Sequence, residues 1–164
     1  MAATALAETI DALVAGLRAE TGYGAPGTDS IIPVFDGPAP TGLAAPKFIV
    51  VGDDGDGNTG TETAEWHTLG PEPQRSVDGS VFVLLASWGG TDDAYTAAGV
   101  KRGEVASLLA ALEKVAHSLE VLPSSVSIEA HYEGAEFSYQ ATEAGMACQA
   151  VARVAYRAIL TSWS

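Results

Sequence analysis

Cysteine is almost missing from these 164 residues: Cys148 stands alone. A single thiol forms no disulfide within the chain and builds no zinc quartet of thiolates. Basic residues are scarce, 8 Lys and Arg against 21 Asp and Glu, for a formal net charge of −13. That balance argues against the clustered cations that grip a nucleic-acid backbone or an anionic membrane surface. It suits a conduit that DNA must pass without sticking, and it suits many ordinary soluble proteins. Long apolar runs are lacking as well, and no stretch nears the roughly twenty residues of a membrane span. The opening MAATALAETIDALVAGLRAE is broken by Glu8 and Asp11 and has no early positive charge. It does not read as a secretory signal, so synthesis in a cytoplasm is expected.

What the chain does have is a globular composition, 47% hydrophobic and 18% charged. Its length suits one domain with a useful core, and no internal repeat or domain boundary is visible across 1–164. Leu6, Ile10, Leu13, Val14 and Leu17 recur at helical spacing with Glu8, Asp11 and Arg18 off that face, predicting a first helix ended by Gly22. IIPVFDG reads as a short strand, confined by Pro33 to an edge or a strand start. FIVV, residues 48–51, reads as a strand buried on both faces. AEWHTLG is a further strand, with Trp66 on one face. SVFVLLASW, residues 80–88, is the strongest strand in the chain.

From Thr96 to Glu120 the stripe Val105, Leu108, Leu109, Leu112, Val115, Ala116 and Leu119 predicts a second, long helix, stopped by Pro123. Glu104, Ser107, Lys114, His117 and Ser118 lie off that stripe. Val126, Ile128, Ala130 and Tyr132 then alternate as a strand, and EGAEFSYQ is expected to turn into a paired one. ACQAVARVAYRAIL fits a period of two, with Arg153 and Arg157 on one face, and fits a helix almost as well. The β-rich context favours a strand. The fold class expected is α+β: a single domain with a mixed or antiparallel sheet, an N-terminal helix and a second long helix packed against it.

Few motifs carry chemistry. Counting from Asp54, the run DGDGNTGTETAE puts oxygen-bearing side chains at Asp54, Asp56, Asn58 and Glu62, and Glu65 where an EF-hand has its bidentate glutamate. Two departures oppose calcium. Thr59 stands at the turn position that needs glycine, and the preceding FIVV is a strand rather than a helix. The plainer reading is a solvated loop of turn-forming residues. GYGAPG, residues 22–27, spells a dinucleotide fingerprint but follows a helix instead of a strand, so its glycines read as cap and turn. His67, His117 and His131 fall on three different elements. Cys148 reads as an inert, partly buried thiol. Glu133 and Glu136 read as a carboxylate pair at a hairpin turn. No catalytic site and no cofactor is expected. Arg153 and Arg157 read either as contacts for a partner's acidic patch or as charges guarding an edge strand. Trp66 and Trp88 read as core or interface anchors, and Trp163 as a residue packed on a neighbouring surface.

Several stretches together carry a resemblance: PVFDGPAP, then FIVVGDDGDG, the Trp-bearing AEWHTLG, a strand ending in SWGG, a helix opening with VKRGEV, and a closing alternating segment. From about Ala5 to Leu160 the chain resembles the tail terminator, or tail completion, proteins of long-tailed bacteriophages infecting actinobacteria. The resemblance implies an α+β subunit of a six-membered ring at the head-proximal end of the tail tube. Such a ring stops tube polymerisation, docks to the head connector and lets genomic DNA through its channel. The implied partners are further copies of the chain, the tail tube protein and the connector or head-closure protein, with no membrane. The implied place is the head–tail junction of a virion. Under this reading the acidic loop is long and mobile, and Asp53, Asp54, Asp56, Arg153, Arg157 and Trp163 are the assembly candidates. A head-closure or adaptor protein, another minor tail protein, and a calcium-dependent module built on residues 54–65 are the competing readings.

Overall fold

A computed structural model describes residues 4–27, 31–38, 46–67, 74–88, 94–142 and 145–160. Trp163 lies outside them. In chain order the elements are α1 (Ala5–Ala19), β1 (Tyr23–Gly24), β2 (Ile32–Asp36), β3 (Lys47–Val51), β4 (Gly60–His67), β5 (Gln74–Trp88), α2 (Ala94–Ser118), β6 (Ser125–Thr142) and β7 (Gly145–Leu160). The strands form one mixed sheet in the order β1-β2-β3-β5-β7-β6, with β4 also paired to β5. β1–β2 and β2–β3 are parallel, and the other pairings are antiparallel. This is the expected α+β class, and the ambiguous last segment is a strand.

The period of two in the long strands decides where the core lies. Val77, Val81, Val83 and Leu85 of β5 stand opposite Ala158, Val154, Ala152 and Ala150 of β7, and all eight are buried. Because alternate residues point to opposite faces, these rungs define one apolar face. Both helices cover that face. α1 contributes Ile10, Leu13, Val14 and Leu17, and α2 contributes Val105, Leu108, Leu112 and Val115, all in one continuous core. The small β7 side chains leave room for the leucines of α2, which is why an alanine-rich strand serves at the centre of the sheet. Truncating a buried leucine such as Leu13 or Leu112 to alanine costs about 2–5 kcal/mol in such cores.

Polar groups fix the helices to the sheet. Thr4 caps α1 by accepting from the Ala7 N–H at 3.1 Å, and Glu62 of β4 accepts from the Leu6 N–H at 3.1 Å. Two donors left free by helix geometry are thereby satisfied. α1 ends at Ala19, before Gly22, which turns the chain into β1 with a φ of 88°. Arg18 donates twice to the Val34 carbonyl of β2, at 3.0 and 2.8 Å. Glu8, expected off the buried face, is itself buried; it accepts from the Ser124 N–H at 3.3 Å and from the Ser124 hydroxyl.

β6 is one strand of 18 residues, where a turn near Gly134 was expected. Irregularities take up the extra residues at two places, Ser125/Ser127 and Tyr132/Gly134. Val126, expected to alternate into the core, is the extra residue of the first and is 60% exposed. Glu133 is the extra residue of the second. Glu133 and Glu136 therefore lie along a continuous strand rather than at a hairpin turn.

Candidate functional site: the second sheet face

The rungs that alternate with the core rungs form the second face, and no described helix packs on it. Thr63, Asp78, Arg157 and Glu129 stand side by side across β4, β5, β7 and β6, forming one rung. The next rung of this face is Thr61, Ser80, Ala155 and His131. Phe82 and Arg153 follow beside the Gly134 bulge, then Leu84, Val151 and Glu136. Arg157 Nε lies 3.2 Å from Asp78 Oδ1. The Arg153 guanidinium sits 5.7 Å from the centre of the Phe82 ring. Each arginine thus has a partner across the sheet, a cation–carboxylate pair for one and a cation–π contact for the other.

Between these ridges the small side chains of Ser80 and Ala155 leave a hollow of about 510 Å³, bordered by Asp78, His131, Glu133 and Arg157. A second hollow of about 290 Å³ lies at the bulge, bordered by Phe82, Glu133, Glu136 and Arg153. Both have charged rims of mixed sign. Enclosed small-molecule sites have mainly apolar walls. A broad polar face with an aromatic ring and arginines at its centre has the makings of a protein contact.

Arg153 and Arg157 are therefore brought together on one face, as the period of two required. They do not guard an edge: β7 is an interior strand, between β5 and β6.

The acidic loop takes a form the sequence did not suggest. β3 pairs with β5 from Val83 to Ser87, and β4 pairs with the same side of β5 from Gln74 to Val81. The two are successive lengths of one line of pairing, and residues 52–59 are an excursion from it. Phe82 holds both ends of the excursion, accepting from Gly52 at 2.8 Å and donating to the Thr59 carbonyl at 3.1 Å. Inside the loop, Asp53 Oδ1 accepts from Gly55 and Gly57 at 2.9 and 3.3 Å. Asp54 Oδ1 accepts from Asp56 and Asn58 at 2.8 and 3.0 Å, and its Oδ2 accepts from the Asn58 amide at 2.7 Å. The Asn58 amide first, and the Asp56 N–H next, hold the Asp54 carboxyl below its ordinary value.

The loop is thus tied by its own carboxylates, in contrast to the long mobile loop expected. Asp53 is buried and unavailable as a surface charge, Asp54 is half-buried, and Asp56 is exposed. Glu65 does not join Asp54, Asp56 and Asn58; it sits within β4 opposite Ser76. Glu62 faces the core and caps α1. Among the described residues, no three His, Cys, Asp or Glu side chains gather as a metal-binding group.

Cys148 is fully buried, and burial pushes its thiol up, opposed by Arg102. A shallow cleft beside α2 and β6 is bordered by Glu113, Lys114, His117, His131 and Tyr132, with His131 reaching it from the rung of the second face. His131 Nε2 lies 3.9 Å from Glu133 Oε1. Trp66 is 52% exposed, with the Arg75 guanidinium 5.9 Å from its ring centre.

Sequence reasoning missed one polar cluster altogether. Glu104 of α2 accepts from Ser87 of β5 and from Lys101 at 3.2 Å, and lies 4.0 Å from Lys47 of β3. Lys101 and Ser87 are buried. Desolvation opposes ionisation of Glu104, but the Ser87 hydroxyl and the two lysines outweigh it and hold the carboxyl below its ordinary value. The only signal in the sequence was the i,i+3 spacing of Lys101 and Glu104.

No protein-family model matches this chain, and no curated protein matches it.

Proposed function

We propose that the chain is a structural virion protein that forms a ring at the head-proximal end of a long phage tail. There it ends tube polymerisation and joins the tail to the head connector. The observation that carries this reading is the exposed part of the second sheet face, where Arg153 and Arg157 stand among Asp78, Glu129 and Glu136 on rungs that no described helix covers. A subunit needs such a face to contact the next copy, the tail tube protein or the connector. The α+β fold agrees with the subunit architecture that the resemblance implies. The net charge of −13 lets genomic DNA pass without being held. Ring contacts repeat by rotation, so the assembled mass is an integer multiple of the subunit, six in this proposal.

The test reverses both charges, Arg153→Glu with Arg157→Glu. Mass by light scattering is read with and without purified tail tubes, and tail lengths are read by electron microscopy. The wild type should cap tube ends as a six-copy ring, in chelator as in calcium. The double variant should fold but leave tubes uncapped and overlong. Capping by the variant would remove the face from the contact. Wild-type protein that binds a portal complex and ignores tube ends would make it a head-closure protein instead.

A further inference from the structure

The outer edge of β6 is the longest stretch of backbone in the sheet that no described strand pairs with. Its first half is protected. The Ile128 N–H is taken by the Glu120 carbonyl, two irregularities interrupt the strand, and Glu129 and Glu133 add charge. These are the usual devices that keep a sheet edge from pairing with another chain. After Gly134 only the charge of Glu136 remains of them. Ala135 to Gln140 is regular, contains no Lys, Pro or Gly, and pairs residue for residue with β7 on its inner side. Phe137 and Tyr139 stand on the same face of this stretch, 43% and 45% exposed.

The stretch is complementary to itself. Two copies laid antiparallel about a two-fold axis through Ser138 place Phe137 opposite Tyr139 twice, Glu136 opposite Gln140 twice, and Ala135 beyond. Within residues 135–140 no like charges meet, and the aromatic pairs are of the kind that stabilise antiparallel strands. A shift of the axis to Phe137 would put Glu136 opposite Ser138 and leave each phenylalanine facing itself, with Tyr139 opposite Ala135. Only the Ser138 register pairs all four aromatic rings with one another. We infer that a second copy of this chain docks on residues 135–140 of β6, continuing the sheet across a two-fold axis at Ser138.

Such a contact closes with two copies and cannot run on into a polymer. It uses a strand edge, not the charged face, and does not depend on the ring. Two monomers of charge −13 repel each other, and no ion pair crosses the contact. Added salt therefore screens the repulsion and tightens the dimer.

Position 140 gives a test of opposite signs. Gln140→Lys places a cation opposite Glu136 at two symmetric places, and Gln140→Glu places an anion there. Sedimentation equilibrium over a wide concentration range should show a two-copy species. Its Kd should fall about tenfold with lysine and rise about tenfold with glutamate, the effect of two cross-strand charge pairs. Ser138→Cys should cross-link to a covalent dimer under mild oxidation, since directly opposed residues sit about 4.5–5.5 Å apart, within disulfide reach. Glu129→Cys, far from the axis, should not. Equal responses to lysine and glutamate overturn the inference. So does a monomer at every concentration and salt, or a six-copy species that Ser138→Cys does not cross-link.

Discussion

Gly79 of β5 lies directly opposite Tyr156 of β7, and the tyrosine ring fills the space that a side chain at 79 would need. A Cβ at Gly79 would fall 2.6 Å from Tyr156 Cζ and would clash with the Thr61 carbonyl on the other flanking strand. The strand partners close in from both sides, so neither can yield cheaply. Gly79→Ala should destabilise the protein by about 2 kcal/mol, the cost of overpacking a close contact between three strands. Chemical denaturation checks it, and an unchanged midpoint would show that β4 and β7 give way.

Gly16 makes the equivalent approach between helices. A Cβ there would lie 2.5 Å from Val115 Cγ1, so α1 and α2 meet at a glycine. Elsewhere in a helix, alanine is better than glycine by about 1 kcal/mol. Here the sign should invert, Gly16→Ala destabilising by about 1–2 kcal/mol through overpacking. Once Val115→Ala has removed the obstruction, the same substitution should become stabilising. A double-mutant cycle reads the change of sign, and additive effects would show that the helices do not meet there.

How much of this was legible beforehand follows from the range of the interactions. The stripe from Val105 to Leu119 and the run from Phe48 to Val51 were readable because burial imposes a period on neighbouring residues. Arg153 and Arg157 were placed on one face for the same reason. Their strand was misplaced at an edge, because strand order is set by pairings between distant segments. Gly134 read as a turn and is a bulge, since one extra residue in a strand has the same local chemistry as a bend. Glu8 read as solvated because its partner, Ser124, lies more than a hundred residues away. Asp53 and Asp54 read as free charges because carboxylates that tie their own loop look, in sequence, like carboxylates awaiting a ligand.

The acidic loop separates local from global order. Asp54 holds Asp56 and Asn58, whereas both ends of the excursion are held by Phe82. Asp54→Ala should speed amide exchange at Asp56 and Asn58 while the slowest core amides of β5 and β7 keep their rates. Asp56→Asn should change global stability by no more than about 0.5 kcal/mol, as surface substitutions do. If either change also prevents capping of tail tubes, the loop joins the contact. A collapse of core protection in Asp54→Ala would make the loop a structural element of the sheet.

Glu104 should set part of the acid limit of stability. Its folded-state carboxyl lies below the ordinary 4.5 because Ser87, Lys101 and Lys47 favour the anion more than burial opposes it. The unfolded chain binds this proton more readily than the folded one. The contribution is therefore complete above the ordinary value and is lost as pH falls through the lowered one. Glu104→Gln should cost about 2 kcal/mol at neutral pH, because it removes charge-assisted hydrogen bonds and leaves Lys101 buried without its anion. It should also flatten the fall in stability below pH 4.5 relative to wild type. Denaturant titrations between neutral pH and pH 3 check both effects. A Glu104→Gln curve parallel to wild type through that window would mean that other carboxylates set the acid limit.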